Sequence, residues 1–580
     1  LTDPADALGL LDALRPVDSF VSWEAAADDI DSLLSTSTFP IREVTLITDL
    51  RRSGWENNLS ELGNRWAADR VRLRVFDVGS KQIENVAIAS LEPVESVVLA
   101  NNPTDWTAVI HNATANDLNG AEANFLVDGK PTLVRLPVIP AGETARVPLS
   151  ATFQEPGLHH VALQLTADAL RGDNHAWNVV NVIDALQVLL VDGEPSTEPL
   201  GGESDFLAIA FSLGSSDADA FRVDVATDSQ SDFLATATPR LIVLTNVASL
   251  NSAQAQRLQR LVASGVGLMI FPGEQVDPDN YNQMLFRDGA GLLPAAIDSI
   301  EDQEALGLTL EDETASPLAA LGQLNPAVLA RIKIRKFLRL KLPATLPTGV
   351  RVLARWNDPA ASPAAIEKVV GRGRVLLWTV TADKAWSDWP KDPSYVLAMR
   401  EAAKALVRGD GQSHNLVAGE VLRKPLAATH AISHAEVETP EADRPQPLAI
   451  EIADSQQAGS EQSTGEKSPA ERSASEQALV CADTRHAGLY KLHWQDAQAG
   501  AGADTFAVNP DVRESDLRRI ADDDLRKLWG ASAPEVIHAD TAAETPVLVE
   551  GQEIWRTLAV GLLGLLVAET CVATWAGRQH

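Results

Sequence analysis

Residues Leu186 to Gly193 read LQVLLVDG, a continuous apolar run that stops at Asp192-Gly193. Three more runs of this kind follow: LIVLT (Leu241–Thr245), VGLMIF (Val266–Phe271, halted by Pro272-Gly273) and VLLWTV (Val375–Val380, after Gly371-Arg372-Gly373). Between the second and third, Ser252–Ala263 has helical spacing, with Ser252 as N-cap, Leu258, Leu261 and Val262 as its apolar stripe, and Gly265 as its stop. Strands without a polar face, alternating with helices, predict a parallel sheet covered on both sides, a doubly wound α/β domain over about 186–415. Such sheets bind ligands at the carboxyl ends of their strands. The expected crevice walls are Asp192, Gly193 and Glu194 on one side and Pro272, Gly273 and Glu274 on the other.

This order of elements resembles the class I glutamine amidotransferase-like fold. In the enzymes of that fold a nucleophilic cysteine sits on the turn after the strand matching Val266–Phe271, served by a histidine and an acid. Here Phe271-Pro272-Gly273 occupies the turn, and neither Cys nor His occurs between Leu186 and Ser413. A thiolate needs an adjacent base to become a nucleophile at neutral pH, and no Ser-x-x-Lys or Gly-x-Ser-x-Gly motif replaces the pair. The domain therefore reads as a binding or scaffold unit and not as an enzyme. Residues 293–354 read as an insertion. Its basic run Arg331–Lys341 (RIKIRKFLRLK) is either a charge-protected sheet edge or a docking strip for an acidic surface. Trp378 reads as core, and Trp386 and Trp389 as packing a loop onto the domain.

Upstream, EVTLITDL (Glu43–Leu50), a helical stretch Ser60–Ala68 and RVRLRVFDVG (Arg70–Gly79) form a strand-helix-strand unit. The ITDL…GW pattern (Ile47–Leu50, then Gly54-Trp55) resembles the second half of a von Willebrand factor A domain, and more narrowly the bacterial BatA-type aerotolerance-regulator membrane proteins. Residues 1–82 would then be a Rossmann-like half-domain of an N-terminally truncated chain. That resemblance implies a Mg²⁺ site to which only Asp49 can be carried over, since no Asp-x-Ser-x-Ser loop precedes it. Mg²⁺ wants several hard oxygen ligands, so the metal is implied only if residues outside this chain supply the rest, and otherwise Asp49 caps its strand.

From 83 to 185 short alternating runs at roughly ten-residue spacing, punctuated by Asn101-Asn102-Pro103, Asp128-Gly129 and Glu155-Pro156-Gly157, predict an antiparallel sandwich. They resemble immunoglobulin-like CARDB-type modules. His159 and His160 alternate across one strand and are expected on opposite faces. Residues 416–512 read as a second β-sandwich, broken by a polar insertion at 453–477 that is disordered by composition. Cys481 has no His or Cys partner at motif spacing and reads as core. Short helices are expected over 513–535, with Ser515 and Asp516 capping a helix Leu517–Leu528. The segments GLY (Gly488–Tyr490), FAVNP (Phe506–Pro510) and ESDL (Glu514–Leu517) also resemble the BatA-type pattern.

IWRTLAVGLLGLLVAETCVATWA (Ile554–Ala576) carries Trp555 and Trp575 twenty residues apart. A helix covers roughly 30 Å over that span, the hydrocarbon thickness of a bilayer, so 554–576 is expected to be a transmembrane helix. Glu569 inside it is a candidate contact to another membrane helix. The chain has 580 residues, a formal net charge of −32 and two cysteines, Cys481 and Cys571. That charge repels nucleic acid, and two cysteines exclude a disulfide framework. The whole reads as a multidomain α/β plus β protein of the inner membrane with its soluble part in the periplasm. It is expected to be a non-catalytic, adhesion-type scaffold without a cofactor, binding other envelope or membrane proteins. The alternative is a ligand sensor or degenerate amidotransferase-type enzyme using the 186–415 crevice.

Overall fold

The structure, a computed structural model, describes residues 14–538 except 38, 40–41, 56–58, 80–83, 96, 167, 169, 214–219, 228–238, 303–304, 312–316, 344, 408–413, 427–431, 443, 454–475 and 498–499. The chain divides into two compact units. One holds 20–83 and 513–580; the other holds 1–19 and 84–512.

The smaller unit begins with helix α1 (Trp23–Thr36), strand β1 (Arg42–Thr48), helix α2 (Ser60–Ala68) and strand β2 (Val71–Asp77). The strands are parallel, in register from Arg42↔Val71 to Thr48↔Asp77. Alternation puts Val44 and Leu46 of β1 and Val71, Leu73 and Val75 of β2 on the buried face.

The larger unit contains three modules. The first is a sandwich built from β3 (Val86–Pro93), β4 (Val98–Leu99), β5 (Pro103–Asn112), β6 (Glu122–Val127), β7 (Lys130–Arg135), β8 (Thr144–Thr152), β9 (Gly157–Gln164) and β10 (His175–Ile183). Its sheets run β4-β10-β9-β6-β7 and β3-β5-β8. The core between them includes Trp106, Ile110, Phe125, Val161 and Leu163.

The central module has an eight-stranded sheet. Its members are β11 (Leu186–Asp192), β12 (Phe221–Thr227), β13 (Leu241–Thr245), β14 (Gly267–Phe271), β17 (Leu308–Leu310), β20 (Val350–Trp356), β21 (Pro363–Val370) and β22 (Gly373–Trp378). The order is β12-β11-β13-β14-β22-β21-β20-β17. The first five are parallel and the last three join antiparallel. Helices α3 (Asp205–Ser212) and α5 (Pro393–Leu406) cover one face, burying Leu207, Phe211, Met399 and Leu406. Helix α4 (Ser252–Ala263) covers the other through Ala255, Leu258 and Val262. Its N-cap is Asn251, which forms a capping box with Gln254, one residue earlier than the cap read from the sequence.

Within the expected insertion, β15 (Ala296–Glu301) pairs with β19 (Phe337–Lys341), and β16 (Ala305–Leu306) pairs with β18 (Lys333–Ile334). Four of the six cations of the basic run are occupied locally: Arg335 with Asp388, Lys336 with Glu274, Arg339 with Glu301 and Lys341 with Asp298. Trp378, Trp386 and Trp389 are all buried.

The third module is a sandwich of β23 (Asn415–Val417), β24 (Leu422–Leu426), β25 (Ile432–Glu438), β26 (Gln446–Pro447), β27 (Ala449–Ala453), β28 (Glu476–Cys481), β29 (Gly488–Asp496) and β30 (Gly500–Asn509). The sheets are β23-β30-β29-β25-β26 and β24-β28-β27. Cys481 is a buried thiol in the core between them.

The last described segment belongs to the smaller unit. Helix α6 (Asp522–Trp529) lays Leu525 and Trp529 into that core, with Trp529 5.2 Å from Trp66. Strand β31 (Glu535–His538) then pairs in parallel with β2. The expected helix Leu517–Leu528 thus starts later, behind Asp522-Asp523-Asp524, whose charges suit a helix N-terminus. Asp516 instead binds Arg518.

Three expectations are corrected. The chain is not of α/β, Rossmann-like class: among the described residues strand makes up 42% and helix 22%. Its largest sheet is mixed, because Val350–Trp356 and Pro363–Val370, which carry charged residues and are only partly buried, join it as antiparallel strands. The first eighty residues are not half of a contiguous Rossmann-like domain, since their third strand comes from Glu535–His538. The expected transmembrane helix, and with it the inner-membrane and periplasmic placement, is also withdrawn. No helix among the described residues is long and apolar enough to cross a membrane. The longest labelled helices have 14 residues, about 21 Å of rise against roughly 30 Å of hydrocarbon. Residues 554–576, Glu569 among them, lie outside the described residues.

Candidate functional site

The chain leaves β11 for β12 on one side of the sheet and returns in β13 on the other. Loops at such a divergence part and leave a crevice at the strand carboxyl ends. Asp192 ends β11 there, and its carboxylate is buried. One oxygen accepts from the Glu194 N–H at 2.9 Å, and the other accepts from the Ser204 N–H and from its hydroxyl at 2.6 Å.

Asn246, just past β13, bridges the site. Its Nδ2 donates to Glu194 Oε2 and to Glu203 Oε1, each at 2.9 Å, and its Oδ1 accepts from the Gln275 N–H. The backbone of Asn246 is left-handed, with φ 48°. Two glycines give it room. A Cβ on Gly193 would lie 2.0 Å from the Asn246 carbonyl oxygen, and one on Gly273 would lie 2.3 Å from the Asn246 side chain. Five of the six residues named from the sequence thus meet around a sixth, Asn246, that was not: Asp192, Gly193 and Glu194 on one strand end, Gly273 and Pro272 on the other. Glu274 points elsewhere, to Lys336 at 2.7 Å, and that hydrogen bond holds its carboxyl below the usual range.

Glu203 is the second residue the sequence reading missed. It is 5% exposed, and its Oε2 is buried with no hydrogen-bond partner. Burial pushes its pKa up to about 8, and the charges of Asp383, Glu194 and Asp192 act in the same direction. Near neutral pH this carboxyl is therefore protonated in the folded protein. Burial, with the charges of Asp383 and Glu203, also holds the Tyr395 phenol well above its ordinary value. The signal in the sequence was Gly201-Gly202-Glu203-Ser204-Asp205, a double-glycine turn running into a helix. Ser204 is the one hydroxyl bonded to an acid here, and no imidazole or thiol exists in residues 186–413 to take its proton.

A different polar arrangement joins the two sandwiches. Between Trp177 and Val179, the edge of β10 away from β9 has no strand partner among the described residues. Two asparagines of the third module take that place. Asn509 accepts from the Trp177 N–H at 2.8 Å and donates to its carbonyl at 2.9 Å. Asn415 does the same to Val179 at 2.8 and 3.0 Å. Each carboxamide acts as one residue of a missing strand.

The remaining candidates separate. Asp49 accepts from the N–H and Nε of Arg51, and no group of three or more His, Cys, Asp or Glu able to hold a metal ion is found among the described residues. The two histidines expected on opposite faces both approach Asp128. His159 Nδ1 is 2.7 Å from one carboxylate oxygen and His160 Nδ1 is 3.6 Å from the other. Asp128 sits on the hairpin turn with φ 48°, at the end of the sheet, where its two oxygens straddle the strand.

No protein-family model and no curated protein matches the chain. Among solved structures, a CARDB domain from Pyrococcus furiosus bound to di-metal ions matches at 11% identity over 17% of this chain and 89% of its own, with a TM-score of 0.16. A domain of a putative cell surface protein from Methanosarcina acetivorans matches at 17% identity over 17% of this chain and 93% of its own, with a TM-score of 0.16. A putative ThuA-like protein from Bacteroides uniformis matches at 14% identity over 40% of this chain and 98% of its own, with a TM-score of 0.28. The expected likeness to von Willebrand factor A and BatA-type proteins finds no counterpart among these matches, which are CARDB and ThuA-like by name. Short motifs such as ITDL…GW report a strand end and a turn, which many parallel sheets share.

Proposed function

We propose that this chain is a non-catalytic, adhesion-type scaffold that presents two β-sandwiches to partner proteins in a fixed relation. The carrying observation is the pair of asparagine clamps. Four hydrogen bonds tie the third module to the backbone of β10, which sets register and closes an edge that other chains would otherwise pair with. A flexible string of modules has no need of such bonds. The non-catalytic part of the reading is supported by Ser204, whose hydroxyl donates to Asp192 in a domain without a histidine or cysteine base.

The test is affinity capture of partners by the wild type and by the double variant Asn415→Ala/Asn509→Ala, read by mass spectrometry, with melting curves to show that both fold. A reproducible partner set that the variant loses supports the scaffold. A set that the variant retains in full, or no set at all, overturns it.

A second reading is favoured by Glu203: a small ligand sensed at the crevice. Ligand screening by thermal shift, with Glu194→Gln as the comparison, tests it. Absence of any shift, or a shift that Glu194→Gln leaves unchanged, removes it.

A further inference from the structure

We infer that the outer face of the third module binds a transition-metal ion of the Zn²⁺ type through His434, Glu436 and His493. His434 and Glu436 are two residues apart on β25 and so share a face. Glu436 is directly opposite His493 of β29, and His434 is opposite Gln495. Cross-strand pairs place their Cβ atoms about 5 Å apart. Two imidazoles and a carboxylate therefore project from one small patch. The next strand, β30, adds only Ala501 and Ala503 on this side, opposite Gln495 and His493. That contrast leaves a groove of about 290 Å³ lined by these residues.

The spacing already suits one ion. His434 Nε2 and Glu436 Oε2 are 3.4 Å apart, a long separation for a hydrogen bond. Two ligands at about 2.0–2.1 Å from a tetrahedral Zn²⁺ sit roughly 3.3 Å from each other. The third ligand stands aside: His493 Nε2 is 3.6 Å from Glu438 Oε1, so the three donors do not converge as they stand. Turning the half-exposed His493 ring from Glu438 towards the directly opposite Glu436 brings it in, and leaves Glu438 and Gln495 at the rim. Donor type sets the class of ion. Imidazole nitrogen suits Zn²⁺, Cu²⁺ or Ni²⁺, whereas Mg²⁺ and Ca²⁺ want oxygen. Three protein ligands leave one position open to water or to a donor from a partner.

The experiment is calorimetric titration of the full chain with Zn²⁺ and with Mg²⁺, and Co²⁺ absorption spectroscopy. The proteins are the wild type, His434→Ala, His493→Ala, Glu436→Gln, and His159→Ala as control. The three substituted side chains at the site are on the surface, that of His159 is largely covered, and circular dichroism checks the folding of every variant. The inference expects one Zn²⁺ equivalent that Mg²⁺ does not compete for and that His159→Ala retains. Each of the two histidine variants at the site should lose it by about 100-fold or more, beyond the 10–100-fold that an outer partner costs. Glu436→Gln should change the tetrahedral Co²⁺ bands. Equal Zn²⁺ binding in the wild type, His434→Ala and His493→Ala overturns the site, as does loss of that equivalent in His159→Ala.

Discussion

Replacing Glu203 by Gln removes one titrating group from the crevice with almost no change of shape. The Oε1 that accepts from Asn246 is kept, and the unpartnered Oε2 becomes an amide nitrogen. The expected effect follows from linkage. The carboxyl titrates near its ordinary value of 4.5 when the chain is unfolded and at about 8 when it is folded. Between those values the folded chain holds a proton that the unfolded chain has lost, so rising pH favours unfolding. The stability that Glu203 contributes is fully present below pH 4.5, declines up to about pH 8, and is flat beyond. Each pH unit is worth about 1.4 kcal/mol, so the loss across the window is roughly 3–5 kcal/mol.

Glu203→Gln has no such window. It should match the wild type near pH 4.5 and exceed it at pH 9 by that amount. In a domain of about 200 residues each kcal/mol moves the melting temperature by roughly 2–4 °C, so the gap at pH 9 is about 10 °C. Denaturant titrations and thermal melts of both proteins from pH 4.5 to 9 measure it, and the difference curve isolates this one group from Asp192, Glu194 and Asp383. Parallel curves, with a constant offset at all pH values, would refute the protonated buried acid and the crevice electrostatics built on it.

Three further outcomes are expected. Asn509→Ala leaves the Trp177 N–H and carbonyl without their partner and should destabilise the larger unit by about 1–3 kcal/mol; denaturant melts check it, with hydrogen exchange at Trp177 rising. Gly63→Ala puts a Cβ 1.9 Å from the Trp529 carbonyl oxygen and should cost about 1–3 kcal/mol through overpacking, read as a lower melting temperature. His538 donates hydrogen bonds to Asp77 and Asp522, the Asp77 bond being the main cause of its raised pKa. Its contribution is therefore present below pH 6.5 and lost as pH rises through the folded value, so His538→Ala should destabilise more at pH 6 than at pH 9, by roughly 1 kcal/mol or less given solvent screening at this exposed ring.

What the sequence disclosed and what it hid divide along one physical line. Side chains along a strand are placed by period 2 or by continuous burial, and both are local. LQVLLVDG, LIVLT and VGLMIF are therefore legible as buried strands, and their ends locate Asp192, Gly193, Glu194 and Gly273 in the crevice. Val350–Trp356 and Pro363–Val370 follow neither rule cleanly, since Arg351, Arg355, Glu367 and Lys368 interrupt them, and neither rule says which way a strand runs, so their antiparallel place in the sheet was not legible. Nor does a four-residue run such as Glu535–His538 carry enough pattern to reveal a strand that pairs with one some 460 residues earlier.

At strand ends the local rules stop, and the chemistry of this protein lies at strand ends. Asn246 needs a left-handed backbone and two glycines from other strands before its amide can bridge Glu194 to Glu203. Glu203 is a loop residue whose burial is set by what closes over it. Asp128 draws together two histidines that alternation alone would send apart, because a carboxylate on a turn is not bound to either face. The patch at His434, Glu436 and His493 is the instructive opposite case. Its three donors are scattered by 57 and 59 positions in the chain, yet once the register Glu436↔His493 is known, period 2 alone puts them side by side. A candidate site on a strand face can be read from register, whereas one at strand ends has to be read from the folded loops.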